Sequence, residues 1–289
     1  MDARELGLLL PMPTASDDKY SRGTVGFVTG SERYPGAALL GISAAQAVSV
    51  GFVRYVGPLR VGDLVLVNHP EVVVSEQPAG PAQAWVLGSG IPADDAGQLT
   101  NVRRVLEQSP VAVVDAGALD LVDAAVDSGD RSVSDDSSLL LTPHQGELCR
   151  LLNRLGIGGF WHPELLDDLK KAREATHLAA QATGHTVLLK GSETQICAPN
   201  GESVSVGPNS PWLATAGTGD VLAGILGGIA AQNPHIARNN WLDIARLAVE
   251  LHSQAAQLVA DRTLHGGAAV TASEVASAVS QAISQRFSR

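Results

Sequence analysis

The feature that most constrains this chain is a series of short runs that are apolar throughout, WVL, VAVV, LLL and VLL, each followed by glycines or a polar turn. A strand with one wet face alternates apolar and polar residues. A strand buried on both faces does not, and such strands belong to parallel sheets covered by helices on either side. The runs place candidate strands at 24–29, 51–56, 72–75, 84–87, 111–115, 138–141 and 186–189. Segments 194–198 and 203–206 flank Pro199-Asn200-Gly201, and Asn-Gly between two such runs signals a hairpin. Helical spacing or alanine-rich sequence fills 37–50, 163–183, 220–231 and 242–260. The alternation predicts an α/β protein, a three-layer α/β/α sandwich around a mainly parallel central sheet.

With 289 residues, 45% hydrophobic and 17% charged, the chain can bury one large core, and wholesale disorder is excluded. No repeat, low-complexity tract or linker interrupts it. A net charge of −10 argues against a nucleic-acid partner, which needs a basic face. An acidic protein can still bind phosphates if local backbone dipoles hold them. Cys149 and Cys197 lie in no CxxC or zinc-ligand spacing, which makes a reducing cytoplasm the default. The opening MDARELGLLLPMP is too broken by charge for a signal peptide, and no run reaches the ~18 apolar residues of a membrane helix. The expectation is a soluble cytoplasmic protein with no membrane partner.

Four segments could carry chemistry. In Thr215-Ala216-Gly217-Thr218-Gly219-Asp220, glycines precede an apolar helix, an arrangement whose free amides and dipole attract anions. Asp220 there is either a helix N-cap or a general base beside a bound phosphate. Lys190-Gly191-Ser192-Glu193-Thr194 follows TVLL and is either a phosphate-contacting loop or a surface turn. Thr142-Pro143-His144-Gln145-Gly146-Glu147 follows LLL; His144 is a candidate for hydrogen bonding to substrate, or a structural histidine, and Glu147 a first-turn acid. Gly88-Ser89-Gly90-Ile91-Pro92-Ala93 nominally fits a dinucleotide fingerprint, but several strands precede it, so it reads as a glycine loop lining a cleft, with Pro92 opening a helix. Gly30-Ser31 with Pro35-Gly36-Ala37-Ala38, and Asp115-Ala116-Gly117-Ala118, make similar loops. His252 is expected on a helix surface, and whether it, Arg22 or the Asp94/Asp95 pair reaches the cleft is left open.

In order, VTGSERYPGAALLG, VLGSG, VVDAGAL, LLLTPHQGEL, VLLKGSET and ATAGTGDVLAGILGG resemble the ADP-dependent NAD(P)H-hydrate dehydratases of the ribokinase-like superfamily. The resemblance begins near Lys19 and covers nearly all the chain, so 1–289 reads as one dehydratase-like domain with residues 1–18 as an N-terminal extension. It implies ADP-dependent dehydration of the 6S form of hydrated NADH or NADPH (NADHX, NADPHX), with AMP and phosphate released. Mg²⁺ and ADP, or ATP, are the implied cofactor and co-substrate; the metal contacts are left open. By motif, Asp220 would be the base, with the amides of Gly217, Thr218 and Gly219 stabilising the transferring phosphoryl group. Ala37, Gly90, His144 and Asp220 would contact the hydrated nucleotide. Lys190, Gly191, Ser192, Glu193, Thr194 and Gly219 would contact ADP or AMP.

Gln145 departs from the family's proline, a change expected to cost rigidity. The resemblance also implies a homotetramer, and a separate epimerase for the other hydrate epimer, for which the chain has no room. The alternative is a kinase of the same superfamily acting on a hydroxyalkyl heterocycle.

Overall fold

Helices cover both faces of the central strands in the structure, a computed structural model that describes residues 6–108, 111–123, 137–262 and 269–287. The described strands are β1 (Thr24–Val28), β2 (Phe52–Val56), β3 (Val73–Ser75), β4 (Ala84–Leu87), β5 (Val111–Val114), β6 (Ser138–Leu141), β7 (Thr186–Leu189), β8 (Thr194–Cys197) and β9 (Ser203–Val206). They form one sheet in the order β3-β2-β1-β4-β5-β6-β7-β8-β9. Strands β1 to β7 are parallel, and the hairpin β8–β9 adds antiparallel to β7.

The described α-helices are α1 (Gly36–Ala47), α2 (Leu59–Asn68), α3 (Ala96–Leu106), α4 (Gln145–Leu155), α5 (Leu169–Thr183), α6 (Thr218–Gln232), α7 (Pro234–Asn239), α8 (Leu242–Ala260) and α9 (Ala272–Phe287). Successive strand residues point to opposite faces. Val86, Val113, Leu140 and Leu188 therefore enter one core with α1, α2, α6, α8 and α9. Trp85, Leu87, Val114 and Leu141 enter a second core with α3, α4 and α5. Cys149 and Cys197 are free and buried in this second core.

Several expectations change. The single helix at 163–183 is broken into a 3₁₀ turn, Pro163–Asp167, and α5, because the Asp168 side chain accepts the Lys170 and Lys171 N–H groups and caps a new start. Pro92 does not open a helix: Asp95 caps α3 instead, accepting from Gln98 N at 3.0 Å. Of the expected extension, residues 1–5 lie outside the described residues. Leu6 and Leu9 are fully buried in the first core, and Asn233 Nδ2 donates to the Leu9 carbonyl at 2.8 Å. No described helix is long and apolar enough to cross a membrane.

Two features position the site. The chain lays β1, β2 and β3 outward, then returns to place β4 on the other side of β1. The helix after β1 packs in the first core and the helix after β4 in the second, so a crevice opens outside the carboxyl ends of β1 and β4. The second feature is α6, which is apolar on nearly every side and buried from Val221 to Ala231. A methyl group built on Gly224 would overlap the Gly41 carbonyl of α1, so these helices touch backbone to backbone.

An exposed helical glycine gains about 1 kcal/mol when replaced by alanine. Gly224→Ala should instead cost about 1–3 kcal/mol by overpacking, read as a lower urea midpoint in equilibrium unfolding.

Candidate functional site

The motif-bearing loops after β4, β5, β6 and β7 leave parallel strands at their carboxyl ends, and one buried carboxylate ties these four ends together. The loop at 215–220 instead follows the hairpin strand β9 and a 3₁₀ turn, Pro211–Leu213. Asp115, just after β5 and 3% exposed, accepts hydrogen bonds from Ser89 Oγ after β4 (2.9 Å), Thr142 Oγ1 after β6 (2.9 Å) and Lys190 Nζ after β7 (2.7 Å). Lys190 also lies 3.9 Å from Glu147 Oε2. Burial works against the Lys190 charge, but Asp115, Glu147 and, more weakly, Asp220 outweigh it and hold its pKa above the ordinary value.

His144 caps α4. Its Nδ1 accepts from the N–H groups of Gly146 (3.0 Å) and Glu147 (3.4 Å), while Glu147 Oε2 accepts from the His144 N–H at 2.8 Å, a reciprocal capping box. Because Nδ1 accepts, the ring proton is assigned to Nε2, which lies 3.5 Å from Glu147 Oε1 on a half-exposed ring. Glu147 is more than a first-turn acid, since it joins the His144 cap to Lys190. Gln145 does not loosen this turn: its Nε2 donates to the Leu166 carbonyl (3.2 Å) and Asp167 Oδ1 (3.3 Å), anchoring the start of α4 to the 3₁₀ turn.

At the start of α6 the N-cap is Gly217, with φ +91, and a Cβ there would crowd Leu40 Cδ1 at 2.6 Å. Asp220 is therefore the third helical residue and not the cap. Its carboxylate, half-buried, has no hydrogen-bond partner on the chain among the described residues. Burial, then the Asp115 charge, push its pKa up to about 6, while Lys190 acts in the opposite direction. The first-turn N–H groups of Gly219 and Asp220 are likewise unpaired on the chain among the described residues. Thr218 is spent structurally: its N–H donates to the Thr215 carbonyl at 3.3 Å, and its hydroxyl bonds the Leu213 (2.8 Å) and Thr215 (2.9 Å) carbonyls.

Beside this helix start lies a cavity of about 370 Å³. Lys190, Gly191, Ser192, Thr194, Thr218 and Gly219 line it; Glu193 does not, and its carboxylate accepts from Gln195 Nε2 at 3.3 Å. Asn209, which the motifs did not mark, shapes the loop: Nδ2 donates to the Gly191 carbonyl and to Thr194 Oγ1, both at 3.0 Å, and its N–H to the Ser192 carbonyl at 2.8 Å. His252 is not on a helix surface. It is 5% exposed and forms part of the cavity wall.

Ala37 and Gly90 lie elsewhere, at the crevice between β1 and β4. A Cβ on Gly90 would come 2.5 Å from Ala37 Cβ, so the two loops meet there. Arg22 donates to the Ser49 carbonyl at 2.6 Å, Asp94 pairs with Arg33 at 3.1 Å, and Asp95 is the α3 cap. The expected residues thus divide between the cavity, whose wall includes Lys190 and Gly219, and the crevice edge at Ala37 and Gly90, with Asp220 next to Gly219.

The profile of a family described as NAD(P)H-hydrate dehydratase matches residues 25–280. The bifunctional NAD(P)H-hydrate repair enzyme Nnr of Mycobacterium tuberculosis (strain H37Rv) is 38% identical over 232 residues, 80% of this chain and 45% of that protein. The ADP-dependent (S)-NAD(P)H-hydrate dehydratase of Lactococcus lactis is 29% identical over 253 residues, 84% of this chain and 85% of that one. The crystal structure of the ADP/ATP-dependent NAD(P)H-hydrate dehydratase from Bacillus subtilis, co-crystallised with ATP/Mg²⁺, superimposes with a TM-score of 0.77 at 25% identity, covering 99% of this chain and 97% of that one. The chain spans about half the length of the bifunctional relatives it matches.

The raised Asp220 pKa has a cost that can be measured without any ligand. The folded state holds this proton more tightly than the unfolded chain, so stability falls as pH rises from about 4 to about 6 and is flat above. Asparagine carries no such charge. Asp220→Asn should melt at least about 2 °C higher than the parent at pH 7.5, with the difference vanishing below pH 4 in a series of thermal melts.

Proposed function

The chain belongs to the NAD(P)H-hydrate dehydratase family, and on that premise we propose that it returns hydrated NADH or NADPH to the reduced cofactor at the expense of ADP, releasing AMP and phosphate. The observation that carries the reading is Asp220, a half-buried carboxylate with no hydrogen-bond partner among the described residues, beside the free amides of a helix start and next to Gly219 of the cavity wall. The cavity would take the adenine nucleotide. The hydrated nicotinamide would lie along the crevice edge by Ala37 and Gly90, with His144 Nε2 offering a donor.

Chemically, hydroxide is a poor leaving group and phosphate a good one. Asp220 would accept the proton of the ring hydroxyl as its oxygen attacks the β-phosphorus of ADP; the bridging P–O bond breaks and AMP departs. The ring C–O bond then breaks, its electron pair leaves with phosphate, and loss of a ring proton restores the double bond. The amides of Gly219 and Asp220 face the charge that develops on the transferred group. Lys190, already bonded to Asp115, holds the strand ends in register and limits how far the Asp220 pKa rises.

Mg²⁺ is the implied ion. Among the described residues, no group of three or more His, Cys, Asp or Glu is placed to hold a metal. This suits an ion carried in on phosphate oxygens, which keeps several waters and takes one or two carboxylates from the protein. Asp115 and Glu147 already have partners on the chain, and the ion would neutralise phosphate charge. The same proposal includes a cytoplasmic homotetramer acting on the S epimer, with a separate epimerase activity supplying that epimer.

The test incubates the protein with NADPH hydrate and Mg²⁺ plus ADP, ATP or no nucleotide, and follows the near-ultraviolet absorbance of NADPH. Recovery should require a nucleotide, fall below pH about 6 as Asp220 protonates, and drop by about 10²–10⁴-fold in Asp220→Asn. No recovery with either nucleotide overturns the assignment, and a phosphorylated acceptor that accumulates instead identifies a kinase.

A further inference from the structure

One polar group in the cavity wall has no role in the chemistry above. His252 lies in α8 and is 5% exposed; its Nε2 is buried without any hydrogen-bond partner among the described residues. A buried polar atom left unpaired destabilises the free protein, so a histidine serving packing alone would be better replaced by leucine.

The chemistry of that nitrogen follows from its surroundings. Burial, aided by the Lys190 charge, pushes the His252 pKa down to about 4, against a backbone hydrogen bond with Thr218 that favours the proton. A backbone group that favours a protonated ring is a carbonyl accepting an N–H. Since Nε2 has no partner, the nitrogen that donates is Nδ1. In the neutral ring Nε2 is then a bare acceptor and calls for a ligand donor. Leu213, Leu222 and Val249 make the neighbouring cavity wall apolar. Phosphates have their own partners at the start of α6 and gain nothing from a lone-pair acceptor.

We propose that His252 Nε2 accepts a hydrogen bond from the nucleoside half of the bound adenine nucleotide and so positions it in the cavity. The inference rests on the reading of this cavity as the ADP site. The donor is the adenine 6-amino group or a ribose hydroxyl. If it is the amino group, His252 also discriminates against hypoxanthine and guanine, which carry a carbonyl at that position.

The experiment is titration calorimetry on the full chain with ADP and with inorganic pyrophosphate. His252→Leu should weaken ADP binding about tenfold while leaving pyrophosphate binding unchanged. His252→Gln, whose amide oxygen can accept from a similar place, should restore most of the affinity. The unmodified protein should bind one of inosine diphosphate, 2′-deoxy-ADP or 3′-deoxy-ADP about tenfold more weakly than ADP, and the weak one identifies the donor; this arm needs no variant to fold. The proposal is overturned if His252→Leu binds ADP as well as the parent, if it loses pyrophosphate in the same proportion, or if all three analogues match ADP. Failure of the unmodified protein to bind ADP overturns the reading beneath it, a different result from any of these.

Discussion

The ion pair between Asp115 and Lys190 is the interaction on which the site's geometry depends. Four parallel strands end side by side, and each loop would be free to choose its own course. Asp115 removes that freedom by accepting from Ser89, two residues beyond β4, and from Thr142 and Lys190, each one residue beyond the end of β6 or β7. Burying two charges carries a large desolvation penalty, and a pair of apolar side chains would often be as stable. What charges supply here is direction and field. Lys190 Nζ is held where it approaches Glu147, and a Cβ on Gly219 would come within 3.7 Å of it. The Asp115 charge in turn helps keep the Asp220 carboxyl near pH 6, where a base is useful.

This arrangement also alters the account of how an acidic protein holds anions. Lys190 is not a free cation awaiting phosphate, because Asp115 and Glu147 already face it. Attraction for a phosphate would have to come from oriented dipoles at the start of α6, where Gly219 and Asp220 present N–H groups unpaired among the described residues. Thr218, between Gly217 and Gly219 in the motif, serves the helix start differently by bonding two carbonyls of the preceding loop. Adjacent residues of one motif divide the work between building the site and facing the ligand.

Much of the architecture was legible because a parallel sheet leaves an unusual trace. Strands buried on both faces cannot alternate, so VAVV and VLL could hardly be anything else, and the Asn-Gly turn marked the hairpin. Candidate site residues were found where motifs coincide with strand ends. Four things were not legible, for separate reasons. A leucine stripe runs through 163–183, and periodicity does not register that Asp168 starts a new helix. Asp220 resembled a cap until the left-handed Gly217 moved the helix start back. His252 shares a helix face with Ala248, Val249, Ala255 and Ala256, all buried, and that alanine-rich face was the signal that it points inward. Asn209 left no trace, since a loop has no period.

The burial of α6 has a consequence for how the protein would fail. Backbone amides deep in a packed element exchange with solvent only when the whole molecule opens, whereas loops open alone. Here Asp220 belongs to the first turn of a helix wedged between the sheet and α1, with Gly224 against the Gly41 backbone. No partial opening can release that helix while the rest stays native. Heating should therefore displace Asp220 and unfold the chain in one cooperative event.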